Sequence, residues 1–102
     1  MRVRAVILLA EAADDLEAGR AFYEEREPGV GRYFLDCLLS DLESLRLNAG
    51  IHSVHFGFHR LLSLRFPFAI YYDVTADLAR VAAILDMRRD PAWIRRELVE
   101  RG

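Results

Sequence analysis

The apolar residues of this 102-residue chain change their spacing once, at Gly50, and that change constrains the fold more than any other feature. Before Gly50 they recur every three or four positions. Val30, Phe34, Cys37, Leu38, Leu42 and Leu45 trace one helical face, and Ala13, Leu16, Phe22 and Tyr23 trace another. After Gly50 they alternate. Phe68, Ile70, Tyr72 and Val74 fall on one side of an extended segment, and Val81, Ala83, Leu85 and Met87 on one side of the next. The pattern predicts helices over Ala12–Glu27 and Val30–Leu47, joined by the turn Pro28-Gly29-Val30-Gly31. So short a connection makes the two helices an antiparallel hairpin. Strands are predicted over 3–9, 58–65, 68–74 and 80–87, with a turn at Thr75-Ala76-Asp77. Asp90-Pro91 is a cap and first-turn signal for a final helix that Trp93, Ile94 and Leu98 would dock on the sheet.

The order is β-α-α-β-β-β-α, which makes the chain one α+β domain over residues 1–102. It has an N-terminal strand, an antiparallel helical hairpin packed on a mainly antiparallel sheet, and a short C-terminal helix. Gly19 falls beside the apolar stripe of the first helix, where it costs about 1 kcal/mol of propensity; a second helix passing close by would account for it. Asp14 and Asp15 are expected in the first turn, favoured by the helix dipole.

Composition narrows the function classes. Apolar residues make up 53%, enough for a packed core, so a disordered chain is excluded. The single Cys37 allows no internal disulfide, reads as a core thiol and fits a reducing, cytoplasmic setting. Residues 5–10 are apolar but lead into Glu11 and Asp14-Asp15, as a buried strand does and a signal peptide does not. No stretch approaches the ~18 apolar residues of a membrane span.

The net charge of −2 is unlike that of a general nucleic-acid binder, and no sequence-specific DNA binding is expected of this chain alone. The charge is uneven: residues 1–51 hold six Arg against ten acidic residues, and residues 52–102 hold eight Arg against six. All fourteen basic residues are Arg, a planar donor suited to carboxylate or phosphate. His52, His55 and His59 have spacings that would align metal ligands on a helix, but they lie in a loop-then-strand stretch, so no metal or other cofactor is expected. Tyr71 and Tyr72 alternate on a strand, so one ring is expected to face away from the core and be free to stack.

Several motifs, in this order, resemble the RelE/ParE toxins of type II toxin–antitoxin systems over nearly the whole chain. They are Ala12-Ala13-Asp14-Asp15-Leu16, the aromatic pair Phe22-Tyr23, and Tyr33-Phe34-Leu35 with Leu42 and Leu45. The strand pair follows, running from Gly57-Phe58-His59-Arg60 to Arg65-Phe66-Pro67-Phe68-Ala69-Ile70-Tyr71-Tyr72, and the ending is Arg88-Arg89-Asp90-Pro91-Ala92-Trp93. Two positions depart from the family pattern: His59 stands where an Arg is frequent, and Asp86 where a His is frequent.

The resemblance implies a toxin neutralised by a cognate antitoxin, whose amphipathic segment would lie in apolar grooves beside the hairpin. The acidic balance and the ending place the chain nearer the ParE-like branch, which implies a non-catalytic inhibitor of DNA gyrase. The target-binding residues would be Arg60, Arg65, Arg88, Arg89 and Trp93. The RelE-like alternative is a ribosome-dependent mRNA endoribonuclease using His59, Arg60, Asp86 and Arg89. A third is an inactive toxin-like interaction module.

Overall fold

The computed structural model describes residues 1–102. The order is β1 (Ala5–Leu8), α1 (Ala10–Arg26), α2 (Val30–Asn48), β2 (Val54–His55), β3 (Phe58–Leu62), β4 (Phe68–Thr75), β5 (Leu78–Asp86) and α3 (Pro91–Arg101). The strands form one sheet in the order β1-β5-β4-β3-β2. Only the β1–β5 pair is parallel; the other three are antiparallel. The α+β reading and the helical hairpin are as the periodicity predicts. The two-residue strand β2 was not predicted, being too short to show an alternation.

The sheet is covered on both faces. The hairpin packs on one, around Leu16, Phe34, Leu38, Ile70, Tyr72 and Val81. Helix α3 packs on the other through Ile94 and Leu98, against Phe58, Ala69, Tyr71 and Leu85. Both Tyr71 and Tyr72 are therefore buried, at 1% and 0% exposure, and the expectation of one outward-facing ring fails. Alternation sends neighbours to opposite faces, but the docked α3 removes the solvent from the second face.

Gly19 is accounted for as expected. A Cβ there would stand 2.6 Å from Cζ of the fully buried Phe34 on α2. Asp90 accepts the Ala92 N–H at 3.0 Å, capping α3 with Pro91 next in line. The placement of Asp14 and Asp15 is corrected. Helix α1 starts at Ala10, so its first turn holds Glu11, and Asp15 lies a turn further in.

The face pattern of β5 is also corrected. Tyr71 pairs with Ala83 and Tyr72 with Val81, so Ala82 is an extra residue, a β-bulge. The bulge exchanges the faces halfway along the strand. Ala79, Val81 and Ile84 face the hairpin, whereas Ala82, Ala83 and Leu85 face α3. Strand β1 pairs only with residues 78–81 of β5 and leaves the bulged part without a strand on that edge.

Two side chains take that strand's place. Asp15 accepts the Ile84 N–H at 3.0 Å, and Arg101 donates to the Ala82 carbonyl at 3.1 Å. Asp15 and Arg101 also form an ion pair, with side-chain exposures of only 17% and 9%. Glu97 and Glu11 add further carboxylates to the Arg101 guanidinium, at 2.9 and 3.3 Å.

Asp15→Ala leaves Arg101 a largely buried, under-paired cation and the Ile84 N–H without its acceptor. It should cost about 3 kcal/mol, read as a lower urea midpoint at unchanged slope. Asp15→Asn, which retains an acceptor for Ile84, should recover part of that loss. Gly19→Ala should destabilise as well, by roughly 1–3 kcal/mol, although alanine is the better helix former, because Phe34 has no room to retreat.

Candidate functional site

The residues singled out in the sequence occupy four settings, of which the first two adjoin and share Phe68 and Asp86. The first is the end of the hairpin that carries its turn. Tyr23 of α1 packs against Phe34, Phe66 and Phe68, and Tyr33 of α2 also packs against Phe66. Arg65 donates to the Tyr33 hydroxyl at 3.1 Å. Arg88 reaches the Tyr23 hydroxyl at 3.5 Å while gripping Asp86 with two donors, at 3.0 and 2.7 Å. Asp86 also accepts the Arg88 backbone N–H at 2.8 Å. The Arg88 guanidinium holds the Asp86 carboxyl below its usual range, so Asp86 is ionised and acts as an acceptor.

The second setting is an open groove of about 260 Å³ between α1 and the bulged half of β5. Gly19, Phe22, Phe68 and Leu85 line it, and Arg89 and Trp93 close one end. The Arg89 guanidinium lies 3.7 Å from the Trp93 ring centroid, a cation–π stack that fixes both side chains.

The third lies across the sheet, on the α3 face. Arg60 projects from β3 beside its cross-strand partner Tyr71, into a pocket of about 250 Å³ lined also by His55, Phe56, Met87 and Ile94. Burial raises the Tyr71 phenol above its ordinary pKa, against the pull of the neighbouring Arg60 charge. The Tyr71 hydroxyl donates to Met87 Sδ at 3.4 Å.

His59 is held on the hairpin face. Its ring stacks on Tyr72 at 5.1 Å between centroids, and its Nδ1–H donates to the His52 carbonyl at 2.8 Å. The Tyr72 hydroxyl accepts the Gly50 N–H at 2.9 Å, which leaves its own hydrogen for His52 Nδ1. The two histidines thus fasten the α2–β2 connection to the sheet. His59 and Arg60, adjacent in sequence, point to opposite faces, as alternation requires. His59 does not converge with Arg60, Asp86 and Arg89 on a common point. Arg65 and Arg88 flank one aromatic cluster, while Arg60 stands behind the sheet.

Asp15 and Arg101 were missed in the sequence. Their contact bridges 86 positions, and a lone Asp and Arg on two helix surfaces carry no local signal. Cys37 is half-buried against the hairpin core rather than fully enclosed. Among exposed side chains, Phe22, Tyr33, Leu39 and Leu64 leave apolar surface on and beside the hairpin. No helix is long and apolar enough to cross a membrane.

Burial, and to a lesser extent the nearby His59 charge, lower the His52 pKa from its ordinary 6.5. The folded state thus prefers neutral His52, and the unfolded chain takes up the proton first. This contribution to stability is complete above pH 6.5 and is lost progressively as the pH falls below it. The melting temperature should therefore drop on acidification from pH 7.5 to 5.5, and His52→Gln should flatten that part of the profile.

No protein-family model and no curated protein sequence matches the chain. Among solved structures, one described as the chromosomal ParDE toxin–antitoxin system from P. aeruginosa is similar, with a TM-score of 0.71 and 20% sequence identity. The alignment covers 78% of this chain and 91% of that one. At that identity the likeness is one of fold: the present chain shares its architecture with a component of a ParDE system.

Proposed function

We propose that this chain is a ParE-like toxin of a type II toxin–antitoxin pair, a non-catalytic inhibitor of DNA gyrase held silent by a cognate antitoxin. The observation that carries the proposal is the fold shared with a ParDE component over 78% of the chain, joined to the ordered motifs of the sequence.

The placement of the polar residues supports binding over catalysis. Cleaving RNA at a ribose 2′-hydroxyl needs a base, a stabiliser of the charged phosphorane and an acid, gathered around one phosphate. Asp86 is ionised and occupied by Arg88, and His59 is stacked on the far face from Arg60. A surface that presents Arg65, Arg89 and Trp93 without such a set is suited to gripping a protein. The exposed Phe22, Tyr33, Leu39 and Leu64 are suited to an antitoxin's amphipathic segment laid along the hairpin.

The test is induction of the chain in cells with a supercoiling-sensitive plasmid and a full-length mRNA monitored together. Loss of negative supercoiling with intact mRNA is the expected result, repeated with purified gyrase. In that assay, Arg89→Ala and Arg65→Ala should each raise the half-inhibitory concentration about tenfold. Cleavage of mRNA at ribosome-positioned sites would instead assign the endoribonuclease reading. Growth without any defect would assign an inactive interaction module.

A further inference from the structure

The turn between β2 and β3 contains a residue that ought not to be there. His55 pairs with Phe58, so Phe56-Gly57 is a two-residue hairpin loop, and both residues have positive φ, 53° and 87°. This is the geometry of a type I′ turn, whose first position favours Asn, Asp or Gly. Gly57 satisfies the requirement, but Phe56 is a bulky side chain in the left-handed region, a strained choice. Nothing in the core repays it, for the Phe56 ring is 52% exposed.

That ring forms one wall of the Arg60 pocket. Met87, Ile94 and Tyr71 also line it, and the Arg95 guanidinium stands 6.0 Å from the Phe56 centroid. Within the pocket, Arg60 Nε is buried and has no hydrogen-bond partner in the protein. Arg101 Nε is buried without a hydrogen bond too, but it stands 3.3 Å from a Glu11 carboxylate oxygen, and other arginines also have their charge engaged. Arg88 grips Asp86, Arg80 grips Asp73, Arg101 grips Asp15, and Arg89 stacks on Trp93. A buried donor left unpaired costs about 1–3 kcal/mol, more when charged, so its persistence points to an acceptor supplied from outside.

We propose that the Phe56–Arg60 pocket is a binding site for a protein segment carrying an aliphatic side chain next to a carboxylate. The carboxylate accepts from Arg60, and the aliphatic group fills the space between Phe56, Met87 and Ile94. A volume of about 250 Å³ fits a side chain or two rather than a nucleotide. Arg60 is the only arginine that lines the pocket, whereas a nucleic-acid backbone is bound by rows of cations. The site does not depend on the identity of the target proposed above, and its assay reads neither supercoiling nor growth.

The test uses the purified full-length chain and two blocked dipeptides, acetyl-Leu-Glu-amide and its uncharged counterpart acetyl-Leu-Gln-amide. NMR follows the Arg60 Nε–H and the Met87 methyl group. The Glu peptide should shift both signals saturably in the millimolar range, and the Gln peptide should bind about tenfold more weakly. Arg60→Met should abolish the Glu preference, while Arg32→Met, in an exposed pair elsewhere, should preserve it. The deciding variant is Phe56→Asn. It should raise the melting temperature by roughly 4 °C, because Asn suits the turn, and weaken the peptide several-fold. Equal affinity for the two peptides would overturn the proposal. So would tighter binding by inorganic phosphate or hexathymidylate at the same signals. Phe56→Asn binding the peptide at full strength would remove the reason for the strained residue and sink the site as described.

Discussion

The architecture depends on how the bulged half of β5 is closed. A strand edge with free N–H and C=O groups is a template for pairing with other chains, and β1 stops too early to cover this one. Asp15 comes from the hairpin side of the sheet and Arg101 from the α3 side. Between them they take the Ile84 N–H and the Ala82 carbonyl. The ion pair thus runs around the edge of the sheet and ties the two covering layers together. Its geometry supplies the extra hydrogen bonds that a largely buried pair needs to offset desolvation. Helix α3 is only eleven residues long and buries just Ile94 and Leu98 fully, so this tether carries a large share of its docking.

Docking of α3 in turn decides which residues remain available outside. It buries Tyr71 and turns the face behind β3 into a closed-sided pocket rather than an open sheet. The arginines that look alike in the sequence are sorted by this arrangement. Arg88 is neutralised by Asp86, so the acid at position 86 withdraws a cation from the surface. Arg89 keeps its charge but is fixed flat against Trp93. Arg60 is left with an unsatisfied donor in an apolar setting.

Much of the fold was legible because it rests on local rules. The helical period with the Pro28-Gly29 turn gave the hairpin, Gly19 announced the close approach of Phe34, and Asp90-Pro91 marked the start of α3. What was not legible depends on contacts between distant residues. The run Val81-Ala82-Ala83-Ile84 is apolar throughout, so nothing in it reveals which alanine is the extra one. Its bulge shows only in the pairing, where Tyr71 lies opposite Ala83 and Tyr72 opposite Val81. Asp15 looked like a dipole residue because its partners lie on β5 and at the end of α3. The candidate arginines lie close together in sequence, and that proximity says nothing of which side of a sheet each will face.

A departure from a local rule is informative only where it coincides with another. Ala76 also has positive φ, 55°, in the turn between β4 and β5. It is a small side chain there, lines no pocket and has no orphaned polar group nearby, so a modest strain is all it represents. Phe56 carries a larger penalty, and its ring is spent neither on the core nor on satisfying the turn. It lines the same pocket as Arg60, whose Nε is buried and has no hydrogen-bond partner. Selection for stability alone would remove each of these defects by a single substitution, Asn at the turn or an apolar residue at the strand. Two independent costs converging on one small cavity are what a binding site requires and a purely structural corner does not.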